Sequence, residues 1–207
     1  MDGSFDVVMY WKKCKGENML QVYTGNGKGK TTAAIGLAIR ALGAGMNIYI
    51  MQFMKSLAYS EQKILSNMAP HITLETTGKP FFIAEEGMLT KEQIRSIGNV
   101  VIFPKGRPPK EYVEEMTAGF RQAATKILSG NYDLAILDEL SVALFFGLIE
   151  RKTVENFLDE VPQETEVVIT GRNAPDWLVE RADLVTDMRE VKHYYANGVA
   201  ARRGIED

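Results

Sequence analysis

Cysteine and histidine are scarce in this chain. Cys14 is the single cysteine, and His71 and His193 are the two histidines. One cysteine excludes an intramolecular disulfide framework, and so few ligands disfavour a zinc site of cysteine and histidine. No serine–histidine or cysteine–histidine grouping is apparent in the sequence. The chain therefore fits a reaction that depends on positioning and charge stabilisation better than one that needs a protein nucleophile.

Long apolar runs and an excess of one charge are also missing. No apolar run approaches the length of a membrane span, and residues 1–15 lack the basic start and apolar stretch of a signal peptide. The net charge is −3, which gives no electrostatic footprint for nucleic acid. We expect a cytoplasmic protein with no membrane or nucleic-acid partner. The 207 residues predict a single domain over 1–207, with residues 1–18 as an N-terminal arm.

Glycine, by contrast, is concentrated in one loop between an apolar strand and a helix. Such a loop turns backbone N–H groups toward a polyphosphate, and the helix that begins near Gly29 adds its positive dipole end. Lys30 supplies a mobile charge, and Thr31 is a potential Mg2+ ligand. We therefore expect nucleotide contacts from the whole glycine loop (residues 25–32), which comprises Gly25, Asn26, Gly27, Lys28, Gly29, Lys30, Thr31 and Thr32.

The glycine loop departs from the common phosphate loop, which reads G-x-x-x-x-G-K-[ST]. Counting back from Gly29 puts Thr24 where the first glycine is expected, and the nearest preceding glycine, Gly25, makes the loop one residue shorter. The alternative interpretation is a tight strand-to-helix turn without a ligand. Such a turn does not need three glycines, two lysines and two threonines, which favours a phosphate site.

Short apolar strands alternate with helices along the rest of the chain. This alternation predicts an α/β fold of the P-loop NTPase-like (RecA-like) kind, with a mostly parallel sheet and helices on both faces. The predicted strands span 19–24, 47–53, 72–76, 134–137, 167–170 and 184–187. The predicted helices span 31–42, 61–68, 111–128, 153–158 and 177–182. Residues 78–110 have no assignment, and we expect this long irregular stretch to be a flexible substrate-side loop.

Three candidate site segments follow predicted strands. Ligands bind at the carboxyl ends of parallel strands, so the glycine loop, Asp138-Glu139 and Gly171-Arg172 are expected on one edge of the sheet. Asp138 and Glu139 are placed to act with Thr31 at a metal ion beside the phosphates. Asp138 is also placed to cap the following helix, and the sequence leaves both interpretations open. Arg172 is placed to reach a phosphate or a substrate carboxamide.

Two further positions have two interpretations each. Arg40, on the helix after the glycine loop, is either a nucleotide ligand or a solvated charge. His193, which follows the last predicted strand beside Lys192, is either structural or catalytic.

Several stretches of the chain together are similar to one family. The glycine loop is followed at 38–45 by Ala-Ile-Arg-Ala-Leu-Gly-Ala-Gly. Gln-Phe-Met-Lys stands at 52–55, Leu-Asp-Glu-Leu at 137–140, and a C-terminal run from 168 to 205 agrees in order and spacing. In these features the chain resembles the ATP:corrinoid adenosyltransferases of the CobA/BtuR type.

The resemblance implies a specific reaction. Members of this family transfer the 5′-deoxyadenosyl group of ATP to cobalt(I) of a corrinoid, such as cob(I)yrinic acid a,c-diamide, and release triphosphate. The resemblance implies Lys30 and Glu139 as catalytic residues, and Thr31, Asp138 and Glu139 at Mg2+ (or Mn2+). It also implies ATP and a reduced corrinoid as substrates, a homodimer, and a flavin reductant protein as partner. The nucleophile is then the cobalt of the substrate, which agrees with the missing protein nucleophile.

The segment after the third predicted strand departs from the family. The family has a Gly-Phe-Thr-Trp-like segment on the corrinoid side of the site, whereas this chain reads Gly-Lys-Pro-Phe-Phe at 78–82. We expect Phe81 or Phe82 to take the aromatic role, with Tyr10 and Trp11 of the arm as further shields of cobalt(I). Two alternatives stay open: an ATPase that hydrolyses the γ-phosphate with Glu139 orienting water, and an inactive nucleotide- or corrinoid-binding relative.

Overall fold

The computed structural model describes residues 19–56, 59–79, 81–199 and 201–206. The predictions for the N-terminal arm, including those for Tyr10, Trp11 and Cys14, lie outside the described residues. No helix within these ranges is long and apolar enough to cross a membrane.

A six-stranded parallel sheet forms the centre of the molecule, and a two-stranded parallel sheet lies beside it. The strands are β1 (Leu20–Thr24), β2 (Ile48–Phe53), β3 (Ile72–Thr77), β4 (Phe82–Glu85), β5 (Val100–Phe103), β6 (Leu134–Asp138), β7 (Glu166–Thr170) and β8 (Leu184–Asp187). The central sheet has the order β3-β2-β6-β7-β1-β8, and each pair of neighbours runs parallel. The six predicted strands correspond to the six strands of the central sheet, so the parallel α/β architecture is confirmed.

Helices cover both faces of the central sheet. They are α1 (Lys30–Gly43), α2 (Ser60–Ser66), α3 (Lys91–Ile97), α4 (Lys110–Leu128), α5 (Leu140–Phe145), α6 (Arg151–Glu160) and α7 (Asp176–Arg181), with a 3-10 helix at Tyr194–Asn197. Alternate residues of each strand point to opposite faces. On one face Ala34 and Ala38 of α1 pack on Ile136 of β6, and on the other Phe120 of α4 belongs to the cluster that contains Leu137.

The register of the central strands brings their carboxyl ends together. Gln52 of β2 lies opposite Asp138 of β6, and Leu137 lies opposite Ile169 of β7. Tyr23 of β1 lies opposite Thr170 of β7. The segments that follow β1, β2, β6 and β7 therefore leave the sheet along one edge.

Residues 78–110 are more ordered than the expected irregular loop. Strands β4 and β5 pair in parallel around α3, and Ile83 and Phe103 pack against the main core. Thr90 begins α3 with a capping box, in which its hydroxyl accepts the backbone N–H of Gln93. The strands have only four residues each, which is too short for a periodic pattern to be recognised. The flexibility of this lobe stays a prediction.

Candidate functional site

The glycine loop packs against the backbone that follows β8. The N–H of Gly27 donates to the carbonyl of Met188 at 2.6 Å. A Cβ on Gly27 would lie 2.5 Å from the Met188 oxygen and 2.9 Å from the carbonyl carbon of Arg189. Gly25 and Gly29 have φ values of 93° and 117°, which favour glycine. The protein's own backbone at Met188 and Arg189 therefore requires glycine at position 27.

Lys30 lies inside the curve of the glycine loop. Its ammonium group donates to the carbonyl oxygens of Gly25 at 2.7 Å and Gly27 at 2.8 Å, and the residue is 6% exposed. Burial, and next the positive charge of Arg172, lower the pKa of Lys30, against the opposing effect of Glu139 and other carboxylates. Two cations close enough for one to affect the pKa of the other create a positive local potential, which favours an anion.

Asp138 is held by four donors from three neighbouring elements. Its Oδ1 accepts from the hydroxyls of Thr31 at 2.8 Å and Thr170 at 2.6 Å. Its Oδ2 accepts from Gln52 at 3.1 Å and Lys55 at 2.8 Å. The residue is 1% exposed. Helix α5 has Glu139 as its N-cap and no side-chain cap bond, so the helix-cap interpretation of Asp138 is wrong.

Glu139 differs from its neighbour in backbone and in surroundings. Its φ is 63° and its ψ is 14°, a left-handed conformation that is uncommon for residues other than glycine. The side chain lines the large cleft described below. Burial, and next the charge of Asp138, raise the pKa of Glu139, although Lys55, Lys30 and Arg172 oppose this shift.

The oxygens at this point fit a magnesium ion. Oγ1 of Thr31 and Oδ1 of Asp138 are 2.8 Å apart, and Thr31 and Glu139 both line the cleft. The described residues contain no group of three or more histidine, cysteine, aspartate and glutamate side chains that would form a full cage. Mg2+ does not need one, because it usually keeps several waters and binds one or two carboxylates together with substrate phosphates.

The two predicted arginines have different outcomes. Arg172 follows β7 and lines the cleft with Thr31 and Thr32. Arg40 lies in the last turn of α1 and is exposed. Ten residues of helix carry it about 15 Å along the axis from Lys30, so the structure does not bring Arg40 to the site. Its interpretation as a nucleotide ligand is replaced by that of a solvated charge.

A cleft of about 1580 Å3 extends from the glycine loop to two other parts of the molecule. One is the lobe formed by β4, α3 and β5, here called the β4 lobe, and the other is the C-terminal segment, whose lining residues lie between Glu190 and Glu206. This volume exceeds the range of ordinary small-molecule pockets, about 300–1,000 Å3. Phe82 lines the cleft and is 60% exposed. Phe81 also lines it, but packs on Tyr112 of the core with ring centroids 5.7 Å apart.

Two predicted nucleotide contacts of the glycine loop, Asn26 and Lys28, have exposed side chains.

The C-terminal segment forms the third wall of the cleft. His193, Tyr194 and Tyr195 line it. His193 also begins the 3-10 helix, where its Nδ1 accepts the N–H of Tyr195 at 3.1 Å. This contact favours the structural interpretation of His193.

Several residues of the site were not predicted as site residues. Gln52, Lys55 and Thr170 all contact Asp138, and Gln62 of α2 donates to Gln52 at 2.8 Å. The first three stand at or just after the carboxyl ends of β2 and β7. Applying the strand-end rule to every strand would have placed them at this edge of the sheet, although it would not have shown that they contact Asp138.

Comparison with known proteins identifies relatives along nearly the whole chain. Residues 16–206 match the family model described as ATP:corrinoid adenosyltransferase BtuR/CobO/CobP. The corrinoid adenosyltransferase of Pseudomonas aeruginosa is 31% identical over 188 residues, which are 91% of this chain and 83% of that protein. The corrinoid adenosyltransferase of Escherichia coli is 32% identical over 189 residues, 89% of this chain and 83% of that protein. Among solved structures, the genome packaging NTPase B204 from Sulfolobus turreted icosahedral virus 2, in complex with AMP, aligns with a TM-score of 0.38 and 15% identity, over 82% of this chain and 73% of that chain.

Proposed function

Because the chain belongs to the ATP:corrinoid adenosyltransferase family, we propose that it transfers the 5′-deoxyadenosyl group of ATP to cobalt(I) of a corrinoid. Cobalt(I) supplies the electron pair of the new cobalt–carbon bond, the C5′–oxygen bond of ATP breaks, and triphosphate leaves with the electrons of that bond. The observation that carries the proposal is one cleft whose lining includes Thr31 and Thr32 of the glycine loop together with Phe81 and Phe82. A protein nucleophile is not required.

The glycine loop end of the cleft suits the triphosphate. Lys30 lies within the loop, Arg172 faces it, and their positive charges would stabilise the leaving group as its negative charge grows. Lys30 would exchange its bonds to the carbonyls of Gly25 and Gly27 for bonds to phosphate oxygens. Glycine-loop N–H groups and the N-terminal end of α1 would add to this stabilisation.

Mg2+ (or Mn2+) would be held by Thr31, Asp138 and Glu139. When bound, such an ion neutralises charge on the phosphates and helps orient them. Thr31 and Asp138 already contact each other, and a bond from the metal to Asp138 would replace one of the four donors that now hold its carboxylate. Glu139 lines the cleft, whereas Asp138 does not, so Glu139 is the carboxylate that would face the substrate.

The β4 lobe end of the cleft suits the corrinoid. Phe82 is exposed and lines the cleft, and Tyr59 and Ile64 also contribute apolar surface to its lining. Apolar surface excludes water, and cobalt(I) is easily oxidised. We propose that the segment 78–82 closes over the corrinoid.

The cellular setting belongs to the same proposal. The reaction consumes ATP and a strongly reduced cobalt, and the cytoplasm supplies both ATP and reduced flavin. We propose a cytoplasmic enzyme that receives electrons for cobalt from a flavin reductant protein. A homodimer stays a prediction.

The direct test is spectroscopic. The protein is incubated with ATP, Mg2+ and chemically reduced cobalamin, and the corrinoid spectrum is followed under anaerobic conditions. We expect conversion to the spectrum of an alkylated corrinoid, and illumination should then give a cobalt(II) spectrum because light breaks the cobalt–carbon bond homolytically. An unchanged cobalt(I) spectrum, with ATP bound, would identify a binding protein instead.

A further inference from the structure

The hydroxyl of Thr170 lies between the two carboxylate residues of the site. Its Oγ1 donates to Oδ1 of Asp138 at 2.6 Å and accepts the backbone N–H of Glu139 at 3.0 Å. Thr170 is fully buried. A hydroxyl has one hydrogen and two lone pairs, so its hydrogen goes to the carboxylate and a lone pair takes the N–H. A methyl group at this position would leave both partners without this contact.

Glu139 needs a restraint because its backbone is left-handed. Its φ of 63° is a strained conformation for a residue with a side chain. The bond from its N–H to Thr170 fixes the peptide between the two carboxylate residues. As a result, Asp138 stays buried against Thr31 while the Glu139 side chain lines the cleft.

The residues after Thr170 support the same arrangement. Gly171 has a φ of 138°, and a Cβ there would lie 2.9 Å from Cβ of Ser141 and 3.0 Å from the backbone nitrogen of Val142. The end of β7 therefore touches the first turn of α5, which begins directly after Glu139. Arg172 then enters the cleft.

We propose that Thr170 is a positioning residue, which keeps Asp138 against Thr31 and Glu139 turned toward the cleft so that both act on Mg2+ and the triphosphate. The inference rests on the proposed function for the reaction, but its own claim concerns the binding of ATP with Mg2+. Removing a group that orients a metal ligand through a hydrogen bond typically lowers metal affinity or activity by about 10–100-fold.

Two substitutions separate the hydroxyl from the shape of the side chain. Thr170→Val keeps the size and removes the hydroxyl, and Thr170→Ser keeps the hydroxyl. The affinity for ATP is measured by calorimetry with Mg2+ and with a chelator, in the absence of corrinoid. We expect Thr170→Val to lose about tenfold or more of the gain in ATP affinity that Mg2+ provides. The affinity without metal should be unchanged, and Thr170→Ser should restore the gain.

The same strand offers a matched control. Thr165 is also buried, directly before β7, and its hydroxyl donates to the carbonyl of Tyr132 at 2.8 Å. Thr165→Val removes an equivalent hydroxyl at the opposite end of the strand, so it should lower stability and leave the Mg2+ effect intact. If Thr170→Val does not fold, Thr170→Cys, which keeps the size and only a weak donor, replaces it with the same expected loss.

Three results would overturn the inference. They are a Thr170→Val (or Thr170→Cys) protein with the full Mg2+-dependent gain, a Thr170→Ser protein as impaired as Thr170→Val, and a wild-type protein with no gain from Mg2+. Wild-type protein that binds ATP with Mg2+ but leaves cobalt(I) unalkylated contradicts the proposed function alone, because the binding measurement contains no corrinoid.

Discussion

At the scale of single residues, Lys30 has the most direct connection to phosphate. Its ammonium group lies within hydrogen-bond distance of two loop carbonyls, and the charge of Arg172 is close enough to lower its pKa. Lys30→Ala should lower kcat by about 100-fold or more, since preorganised donors to a developing charge are worth that much. Steady-state adenosylation measures the loss. Lys28→Ala is the control: Lys28 is exposed, where solvent screens charge, so its loss should be smaller. Equal losses would contradict this ranking.

Gly27 tests the contact between the glycine loop and the segment after β8. A Cβ there would meet the Met188 carbonyl oxygen at 2.5 Å, and backbone has little room to move. Gly27→Ala should destabilise the protein by about 1–3 kcal/mol, measured by urea denaturation without any ligand.

Gly36 provides the matched control for this substitution. It lies inside α1, and a Cβ there would meet no atom within 4 Å. Gly36→Ala should stabilise the protein by up to about 1 kcal/mol through helix propensity. If Gly27→Ala is as stable as wild type and fails only in ATP binding, the phosphate, and not Met188, requires the glycine.

At the scale of elements, the carboxyl end of β6 supplies the two carboxylates of the proposed metal site. Glu139→Gln should raise the Mg2+ concentration that half-saturates turnover by about tenfold, because one carboxylate charge near the ion is lost. Asp138→Asn should do the same and also weaken its contacts with Lys55 and Thr31. A Mg2+ titration of adenosylation measures both effects. Wild-type Mg2+ dependence in both variants would make these residues structural.

The β4 lobe contains two adjacent phenylalanines with different roles. Phe81 packs on Tyr112 of the core, so Phe81→Ala should cost about 2 kcal/mol of stability. Phe82 is 60% exposed, so Phe82→Ala should change stability by about 0.5 kcal/mol or less.

Their effects on the corrinoid should be the reverse. Phe82→Ala should raise KM for the corrinoid and leave KM for ATP unchanged, because the glycine loop lies at the other end of the cleft. Denaturation and two-substrate kinetics on both variants check this division. A Phe82→Ala protein with normal corrinoid kinetics would mean that the corrinoid is shielded elsewhere, as expected for Tyr10 and Trp11.

At the scale of the whole molecule, the edge strand β3 is joined to its neighbours by Glu75. Its carboxylate accepts from Tyr49 of β2 at 2.5 Å, from Gln122 of α4 at 3.0 Å, and from Lys126. Burial alone would raise the pKa of Glu75, but the hydrogen bonds from Lys126 and Tyr49 outweigh it and lower the pKa. The carboxylate therefore binds protons less readily in the folded than in the unfolded protein.

This difference sets the sign of a pH effect. The stabilisation by Glu75 is complete above its unfolded pKa, near 4.5, and is lost as the pH falls through the lower folded pKa. Glu75→Gln should be less stable than wild type at neutral pH and should lose less stability between about pH 5 and pH 3. Urea denaturation over this range measures it. Parallel pH profiles for the two proteins would exclude Glu75 as a source of acid sensitivity.

The whole-molecule architecture was predictable because local patterns determine it. Apolar strands alternating with helices fixed a parallel sheet, and parallel strands bring the glycine loop, Asp138 and Arg172 to one edge. The contacts of Thr170 and Gln52 with Asp138 were not predictable, since they depend on strand order and register between segments far apart in sequence. Helix α5 was missed because its six residues, of which all but Ser141 are apolar, cannot be told from a continuing strand.

The central claim is that the protein transfers the 5′-deoxyadenosyl group of ATP to the corrinoid and releases intact triphosphate. Phosphorus NMR of a single reaction with ATP, Mg2+ and chemically reduced cobalamin tests it, with the alkylated corrinoid quantified in the same sample. The account predicts triphosphate equal in amount to the alkylated corrinoid, with no ADP. ADP and phosphate, formed while the corrinoid stays unalkylated, would contradict it and identify an ATPase.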